Sequence, residues 1–170
     1  MEESVLTNKG DIMTQKKFLK MTGDEYNRFM FERFPAFYGH KEDLMQSLMA
    51  FGFAFKKGWR ELVFKLFIDI EKELKKHPNP EFEIIQQKEK FGGYRCYISC
   101  GSEKIFQLID AAERLSYKTC EECGDKGSLD QRFGWYLTLC RKCKIARGKK
   151  KKAEEAARFE QLVAERKVKA

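Results

Sequence analysis

Histidine and proline are scarce in this chain, and it has neither a long apolar run nor a signal-like N-terminus. Its two histidines, His40 and His77, are too few for catalytic schemes that combine an imidazole base with separate histidine metal ligands. The longest apolar run, Leu48 to Phe55, has eight residues, whereas a membrane-spanning helix needs about 20. The N-terminus carries Glu2 and Glu3 and lacks the apolar segment and cleavage site of a secretory signal. We therefore expect a non-enzymatic protein that stays in the cytoplasm and does not enter a membrane.

Positive charge is concentrated in one short segment. The chain has 34 lysine and arginine residues against 26 aspartate and glutamate residues, a formal net charge of +8. Eight of the basic residues lie between Arg141 and Lys152 with no acid among them, which leaves 26 basic and 26 acidic residues elsewhere. Such a segment attracts phosphate backbones, anionic lipid or acidic protein surfaces, or it is merely a solvated helix face. The candidate nucleic-acid-binding residues are Arg141, Lys142, Lys144, Arg147, Lys149, Lys150, Lys151 and Lys152.

The chain before residue 118 has the pattern of a small α+β body. Residues 1–21 show no sustained period and are predicted to form a loosely ordered leader. Residues 22–117 form the predicted body, in which one extended region, residues 81–100, contains Gly92-Gly93 and predicts a β-hairpin with a two-residue turn there. Helical spacing of apolar residues predicts four helices, over residues 22–34, 41–50, 59–74 and 102–115. The aromatic residues expected to lie in the core rather than to stack on bases are Phe51, Phe53, Phe55 and Trp59.

The strongest motif is a matched pair of Cys-x-x-Cys segments. Cys120 and Cys123 are followed, after sixteen residues, by Cys140 and Cys143. Two such pairs supply the four thiolates that a structural zinc ion prefers, and the spacing is typical of these sites. The sequence therefore predicts one structural Zn²⁺ in a module spanning residues 118–147. Cys96 and Cys100 have no histidine nearby and share a strand face with apolar residues, so they are interpreted as buried thiols.

The segment after the last cysteine determines the type of zinc module. It is rich in lysine, alanine and glutamate, which favours a helix beginning at the second cysteine pair, as in treble-clef modules. A zinc ribbon, with strands on both sides, is the alternative. Residues 148–170 are predicted to form a basic and charged C-terminal helix that projects from the body, supported by pairs such as Glu154 with Arg158. A redox function is disfavoured, because a thioredoxin-like site uses one Cys-x-x-Cys in a βαβ setting.

Four further segments of the chain occur together in a recognisable order. They are Phe51-Gly-Phe-Ala-Phe-Lys-Lys-Gly-Trp59, Gln87-Lys-Glu-Lys-Phe-Gly-Gly-Tyr-Arg95, Ser116-Tyr-Lys-Thr-Cys-Glu-Glu-Cys-Gly124 and Gly134-Trp-Tyr-Leu-Thr-Leu-Cys140. With them the chain resembles a group of small bacteriophage and prophage zinc-finger proteins, over roughly residues 30 to 143. Members of that group join a Gly-Phe and a Gly-Trp separated by three to five residues, a Lys-Glu-Lys-Phe-Gly-Gly hairpin and two closing Cys-x-x-Cys pairs. The resemblance implies a phage-encoded accessory protein in a bacterial host cytoplasm and brings no catalytic activity with it.

Two classes of function remain open. In the first, the basic segment binds the backbone of DNA or RNA with low sequence specificity, because lysine neutralises phosphate without reading base edges. In the second, the protein docks on a host machine, such as RNA polymerase or an antiphage defence complex, and inhibits or redirects it. A nuclease of the His-Asn-His type is disfavoured, because residues 120–143 contain no histidine.

Overall fold

The chain folds mainly as helices, with small antiparallel sheets between them. The computed structural model describes residues 5–6 and 12–168, with side chains from 13 to 165. In the described ranges, three two-stranded sheets pair β1 with β2, β3 with β4 and β5 with β6. The elements are β1 (Val5–Leu6), β2 (Ile12–Met13), α1 (Gln15–Lys20), α2 (Gly23–Arg33), α3 (Arg60–Lys76), β3 (Ile84–Lys90), β4 (Gly93–Ile98), α4 (Glu103–Ser116), β5 (Ser128–Asp130), β6 (Leu137–Leu139) and α5 (Arg141–Val168).

The core of the body is aromatic and is organised around α3. Its apolar face buries Phe64, Phe67 and Ile70 completely, and α2 and α4 pack against it with Met30 and Ile105. The helix periods predicted over 22–34, 59–74 and 102–115 correspond to α2, α3 and α4. Apolar residues recur every three to four positions through these segments, which is why the sequence predicts these helices.

The predicted start of α2 agrees with its observed cap. Thr22 and Glu25 form a reciprocal capping box, in which each side chain accepts a hydrogen bond from the other residue's backbone N–H. This arrangement satisfies two amides that the first turn of a helix would otherwise leave unpaired.

The body begins earlier than the sequence predicts. Residues 15–20, assigned to a loose leader, form α1, whose Phe18 is fully buried against the aromatic core. The guanidinium group of Arg60 donates to the backbone carbonyls of Phe18 and Met21, at 3.0 and 2.6 Å. The leader prediction is therefore wrong for this part, while residues 1–4 and 7–11 lie outside the described residues. Helical periodicity is recognised from several apolar residues at regular spacing, and α1 has only six residues and one buried phenylalanine. The sequence pattern therefore could not reveal it.

No α-helix forms over the predicted segment 41–50. That segment contains hydrogen-bonded turns and a short 3₁₀ turn over Met49–Phe51. Its apolar residues do not make one buried stripe, because Met49 is buried whereas Leu44, Met45 and Leu48 are exposed. Phe51 is also exposed, so the expectation of a core position is wrong for it, although Phe53 and Phe55 pack against the core and Trp59 is fully buried.

Strands β3 and β4 pair antiparallel, with the turn one residue earlier than predicted. Positive φ angles occur at Phe91 (54°) and Gly92 (78°), and Gly93 already pairs with Lys90 in the sheet. The residues of the two-residue turn are thus Phe91 and Gly92. Glu89 stabilises the turn by accepting a hydrogen bond from the Gly92 backbone N–H at 2.6 Å.

Helix α5 is one continuous helix of 28 residues, Arg141–Val168. It includes the predicted C-terminal helix up to Val168, whereas residues 169–170 lie outside the described residues. Every side chain from residue 152 to residue 165 is exposed. Among the described residues, no helix is both long enough and apolar enough to cross a membrane.

Candidate metal centre and basic helix

The first cysteine pair lies in a tight backbone knuckle at the end of α4. The backbone N–H of Gly124 donates to the carbonyl of Cys120 at 2.8 Å, and the N–H of Cys120 donates to the carbonyl of Asp125 at 2.7 Å. Gly124 has φ of +82°, a conformation that glycine adopts without the steric cost of a side chain. Glycine at this position therefore lets the chain turn tightly after the first cysteine pair.

The second cysteine pair is delivered by a strand and a helix start. Strands β5 and β6 pair antiparallel, with Asp130 opposite Leu137, and β6 leads directly into Cys140. Helix α5 begins at the next residue and places Cys143 in its first turn. The order is therefore knuckle, strand pair and helix, with two cysteines at each end.

The four sulfur atoms converge on one point. Cys123 Sγ lies 3.6 Å from Cys140 Sγ and 3.8 Å from Cys143 Sγ, and the ligand atoms of all four cysteines lie within 4.8 Å of one another. Thiolates bound at about 2.3 Å around a tetrahedral ion lie about 3.8 Å apart. The cluster of Cys120, Cys123, Cys140 and Cys143 thus has the dimensions of a four-coordinate metal site.

The local environment favours ionisation of one of these thiols. The backbone N–H of Cys143 donates to Cys140 Sγ at 3.5 Å, and this contact lowers the pKa of Cys140 to about 7. Burial raises the pKa of Cys123, and it raises the pKa of Cys143 to about 12. Several thiolates held this closely repel one another, and a bound cation removes that penalty.

The cysteine module is docked directly on the body. The Gly58 backbone N–H donates to the carbonyl of Glu121 at 2.7 Å, and the Trp59 indole N–H donates to the carbonyl of Thr119 at 2.8 Å. A Cβ atom at Gly58 would lie 2.2 Å from the carbonyl oxygen of Cys120, so only glycine permits this approach. On the other side, the Thr138 hydroxyl donates to the carbonyl of Gly92 at 2.6 Å.

Gln15 and Glu121 complete this junction. The Gln15 side-chain amide donates to the carbonyls of both Gly58 and Cys123, each at 3.2 Å. The Glu121 carboxyl is buried beneath the knuckle, accepts the backbone N–H of Lys56 at 3.2 Å, and has its pKa raised to about 7 by burial. Helix α1, the Gly58-Trp59 segment and the knuckle are therefore one packed unit.

Asp130 fastens α5 to the strand pair. Its carboxylate is 4% exposed and lies 2.7 Å from Arg132 Nε and 3.0 Å from Arg147 Nη1. Hydrogen bonds from Arg132, together with those from Arg147, lower the pKa of Asp130 to about 2. Arg147 also donates to the carbonyl of Trp135 at 3.0 Å, so one arginine joins the helix to both sides of the β5–β6 turn.

The eight basic residues of the charged segment divide between two sides of α5. At 3.6 residues per turn, Arg141, Lys142, Lys149 and Lys152 fall within about 100° around the helix axis. All four are exposed, and none of them pairs with a described acidic residue within 4 Å. This set is called the free basic face below.

The other four basic residues make contacts within the chain. Lys144 donates to the Ser128 hydroxyl at 2.7 Å, and Arg147 is bound to Asp130 as described above. Lys150 and Lys151 lie 3.9 and 2.8 Å from Glu154, which therefore pairs with them rather than with the predicted partner Arg158. Lys144 and Arg147 hold the module together and are poorly placed to contact a phosphate backbone.

The remaining cysteines and histidines lie outside the cysteine cluster. Cys96 packs against the core, where burial raises its pKa to about 12, and Cys100 accepts a contact from the Asn79 amide at 3.4 Å. His40 lies 2.7 Å from Glu83 and is half exposed, and His77 is the capping residue at the C-terminal end of α3.

Sequence reasoning missed a groove beside the cysteine cluster. An open groove of about 1000 Å³ runs between the body, the β5–β6 turn and α5. Two exposed aromatic residues of the turn, Phe133 and Trp135, line it. The sequence does show these aromatic residues between the two cysteine pairs. Nothing in its pattern, however, indicates whether their rings are exposed or buried in a core.

Comparison with known proteins gives no match: no family model, no curated protein and no solved structure matches this chain.

Proposed function

We propose that this chain is a non-enzymatic, zinc-binding accessory protein that binds the backbone of DNA or RNA through the free basic face of α5. The observation that carries the proposal is a set of four exposed cations, none paired with a described acidic residue, on one side of a helix whose opposite side is fixed to the cysteine module. Contacts of this kind give affinity and salt dependence with little sequence specificity.

The metal proposed for the cysteine cluster is a single structural Zn²⁺. Four cysteine ligands and sulfur separations of 3.6 and 3.8 Å suit a closed tetrahedral site with no open position for water. Knuckle, strand pair and helix follow one another as in a treble clef, and this order supports that subtype over a zinc ribbon. The partial positive charge of the α5 N-terminus lies next to the cluster and further favours thiolates there. Zinc would organise the fold and set the direction of α5, and would take no part in a reaction.

The proposed setting is a bacterial host cytoplasm during phage infection. This proposal comes from the resemblance of the motifs around Gly58-Trp59, Phe91-Gly92 and Trp135 to phage and prophage zinc-finger proteins. The structure supplies a physical reason for the first two motifs, because Gly58, Trp59 and Gly92 all make docking contacts with the cysteine module.

Charge reversal on the free basic face tests the nucleic-acid proposal. The double variant Lys149→Glu/Lys152→Glu changes two exposed residues at a distance from the cysteines, so metal content should stay at one ion per chain. The matched control, Lys76→Glu/Lys104→Glu, makes the same change in net charge at two exposed positions on the body. Binding to duplex and single-stranded oligonucleotides should be abolished in the first variant and retained in the second.

Salt dependence provides a second measurement on the same surface. Replacing Lys149 and Lys152 by alanine should flatten the slope of log affinity against log salt by about 1.8 for duplex DNA, because each lost phosphate contact removes about 0.9. An unchanged slope, or a parent protein that binds no nucleic acid at low salt, would contradict the proposal.

A second candidate function is docking on a host protein complex. It is favoured by the exposed apolar residues Leu44, Met45 and Phe51, which lie on the turns between α2 and α3. Apolar side chains exposed close together on a surface are common in protein interfaces. Capture of partners from host lysate, with and without nuclease, separates the two functions. A protein partner that remains after nuclease treatment and is lost in Met45→Glu/Phe51→Glu would support this second candidate.

A further inference from the structure

Trp135 and Phe133 leave much of their rings open to solvent. Trp135 is 62% exposed and Phe133 is 44% exposed, although large aromatic side chains are highly buried on average. Trp59, the other tryptophan of the chain, is fully buried. The exposure is therefore a feature of the turn between β5 and β6 and not of loose packing throughout the chain.

The turn that carries these rings is rigidly held. Phe133 has φ of +63°, a region that non-glycine residues seldom adopt unless their surroundings fix them there. The guanidinium carbons of Arg132 and Arg147 lie 5.6 and 5.4 Å from the centroid of the Phe133 ring. The carbonyl of Trp135 accepts a hydrogen bond from Arg147. A ligand that contacts these rings would pay little entropy for ordering them.

The charges directly beside the rings are positive on balance. Arg132 and Arg147 lie against the Phe133 ring and share a single carboxylate, that of Asp130. Farther along the groove the charges balance, because Lys150 and Lys151 pair with Glu154 and Lys56 pairs with Glu122. The free basic face lies on the other side of α5. The groove is also lined by Glu89, which accepts the Gly92 backbone N–H, and by the buried Glu121, which accepts the Lys56 backbone N–H.

We propose that Trp135 and Phe133 form a stacking surface for unpaired bases, so that the nucleic acid bound by α5 is single-stranded. This inference rests on the proposed function and specifies its substrate. Exposed aromatic rings next to arginine side chains are a combination that single-strand binding uses, since every base has a face that can stack. A duplex keeps those faces stacked on one another and presents mainly its phosphates, so it gains nothing from Trp135.

The experiment compares a 20-nucleotide oligo(dT) with a duplex of the same length at low salt. Trp135→Ala should weaken oligo(dT) binding by about 5- to 150-fold, the loss expected for one stacked base, and should leave duplex binding unchanged. Phe106→Ala is the matched control, because Phe106 is an exposed aromatic residue on α4. An unchanged metal content in each variant would show that the cysteine module is still folded.

Tryptophan fluorescence gives an independent measurement. Because Trp59 is buried, quenching of the parent protein by oligo(dT) should come from Trp135. Trp135→Phe should lose that quenching and keep most of its affinity, since phenylalanine also stacks.

The outcomes separate this inference from the function on which it rests. If Trp135→Ala leaves the affinities for oligo(dT) and for duplex unchanged, or weakens both equally, the proposal of a stacking surface is overturned. The proposal that the free basic face binds nucleic acid would still stand. Absence of any binding by the parent protein would overturn both.

Discussion

The ion pairs of Asp130 predict a specific loss of stability when its charge is removed. Asp130→Asn keeps the size and shape of the side chain but cannot pair with Arg132 and Arg147, the two cations that hold α5 against β5 and β6. Because the Asp130 side chain is 4% exposed, solvent screens these contacts only weakly. The change should therefore weaken the attachment of α5 to the cysteine module.

The magnitude follows from the pKa of Asp130. Lowering that pKa from 3.8 to about 2 corresponds to about 2 kcal/mol of folding free energy at neutral pH. A carboxylate with a depressed pKa in the folded state stabilises the fold fully above its unfolded pKa, near 4. That contribution is lost as the pH falls from about 4 towards 2. The difference in the free energy of unfolding between the parent and Asp130→Asn should thus be constant from pH 7 to pH 5 and shrink below pH 4.

Urea unfolding of the metal-loaded proteins at pH 7 measures this difference. Asp130→Asn should lower the free energy of unfolding by about 2 kcal/mol. Glu122→Gln is the matched control, since it removes an exposed carboxylate of the same module that pairs with Lys56 at the surface, where an ion pair contributes about 0–1 kcal/mol. Equal unfolding free energies for the parent and Asp130→Asn, measured at equal metal occupancy, would refute the reasoning.

Three further predictions concern the metal module and its junction with the body. Gly58→Ala should lower the free energy of unfolding by about 1–3 kcal/mol through overpacking, whereas Gly23→Ala, which meets nothing within 4 Å, should be nearly neutral in the same titration. Cys120→Ser should release the metal and unfold residues 118–147, and full metal content by mass spectrometry would contradict the cluster. Trypsin should cleave first in the exposed half of α5, near Arg158, and leave a metal-containing fragment. If the chain near Arg158 is cleaved as slowly as the core, the distal part of α5 must be covered.

Strong local patterns were enough to predict the main helices and the cysteine cluster. The apolar period of α3 extends over four turns, and two Cys-x-x-Cys pairs at the observed spacing are typical of a four-cysteine metal site. The predicted helix over residues 41–50 is wrong because its apolar residues satisfy helical spacing by chance. Only Met49 of that set is buried, and the segment is held instead by turns and by the Leu48 backbone N–H donating to Ile85 at 2.8 Å.

The division of the basic segment could not be predicted from composition. Eight cations in twelve residues look equivalent in the sequence, yet Lys144 and Arg147 are taken up by contacts with Ser128 and Asp130, which lie 16 and 17 positions away. Which cations remain free depends on how α5 docks on the strand pair. That docking is a long-range property that helical periodicity does not contain.

The separate motifs acquire a common physical meaning once they are seen in the fold. Gly58 and Trp59 contact the backbone of the cysteine knuckle, and the Gly92 carbonyl accepts the hydroxyl of Thr138 on β6, so segments about 30 residues apart bind the same module from two sides. Because these contacts use backbone atoms of Thr119 and Glu121, on either side of Cys120, they require the knuckle to be folded. Loss of the metal should therefore weaken the body as well as the module, and the direction in which α5 presents its cations depends on both.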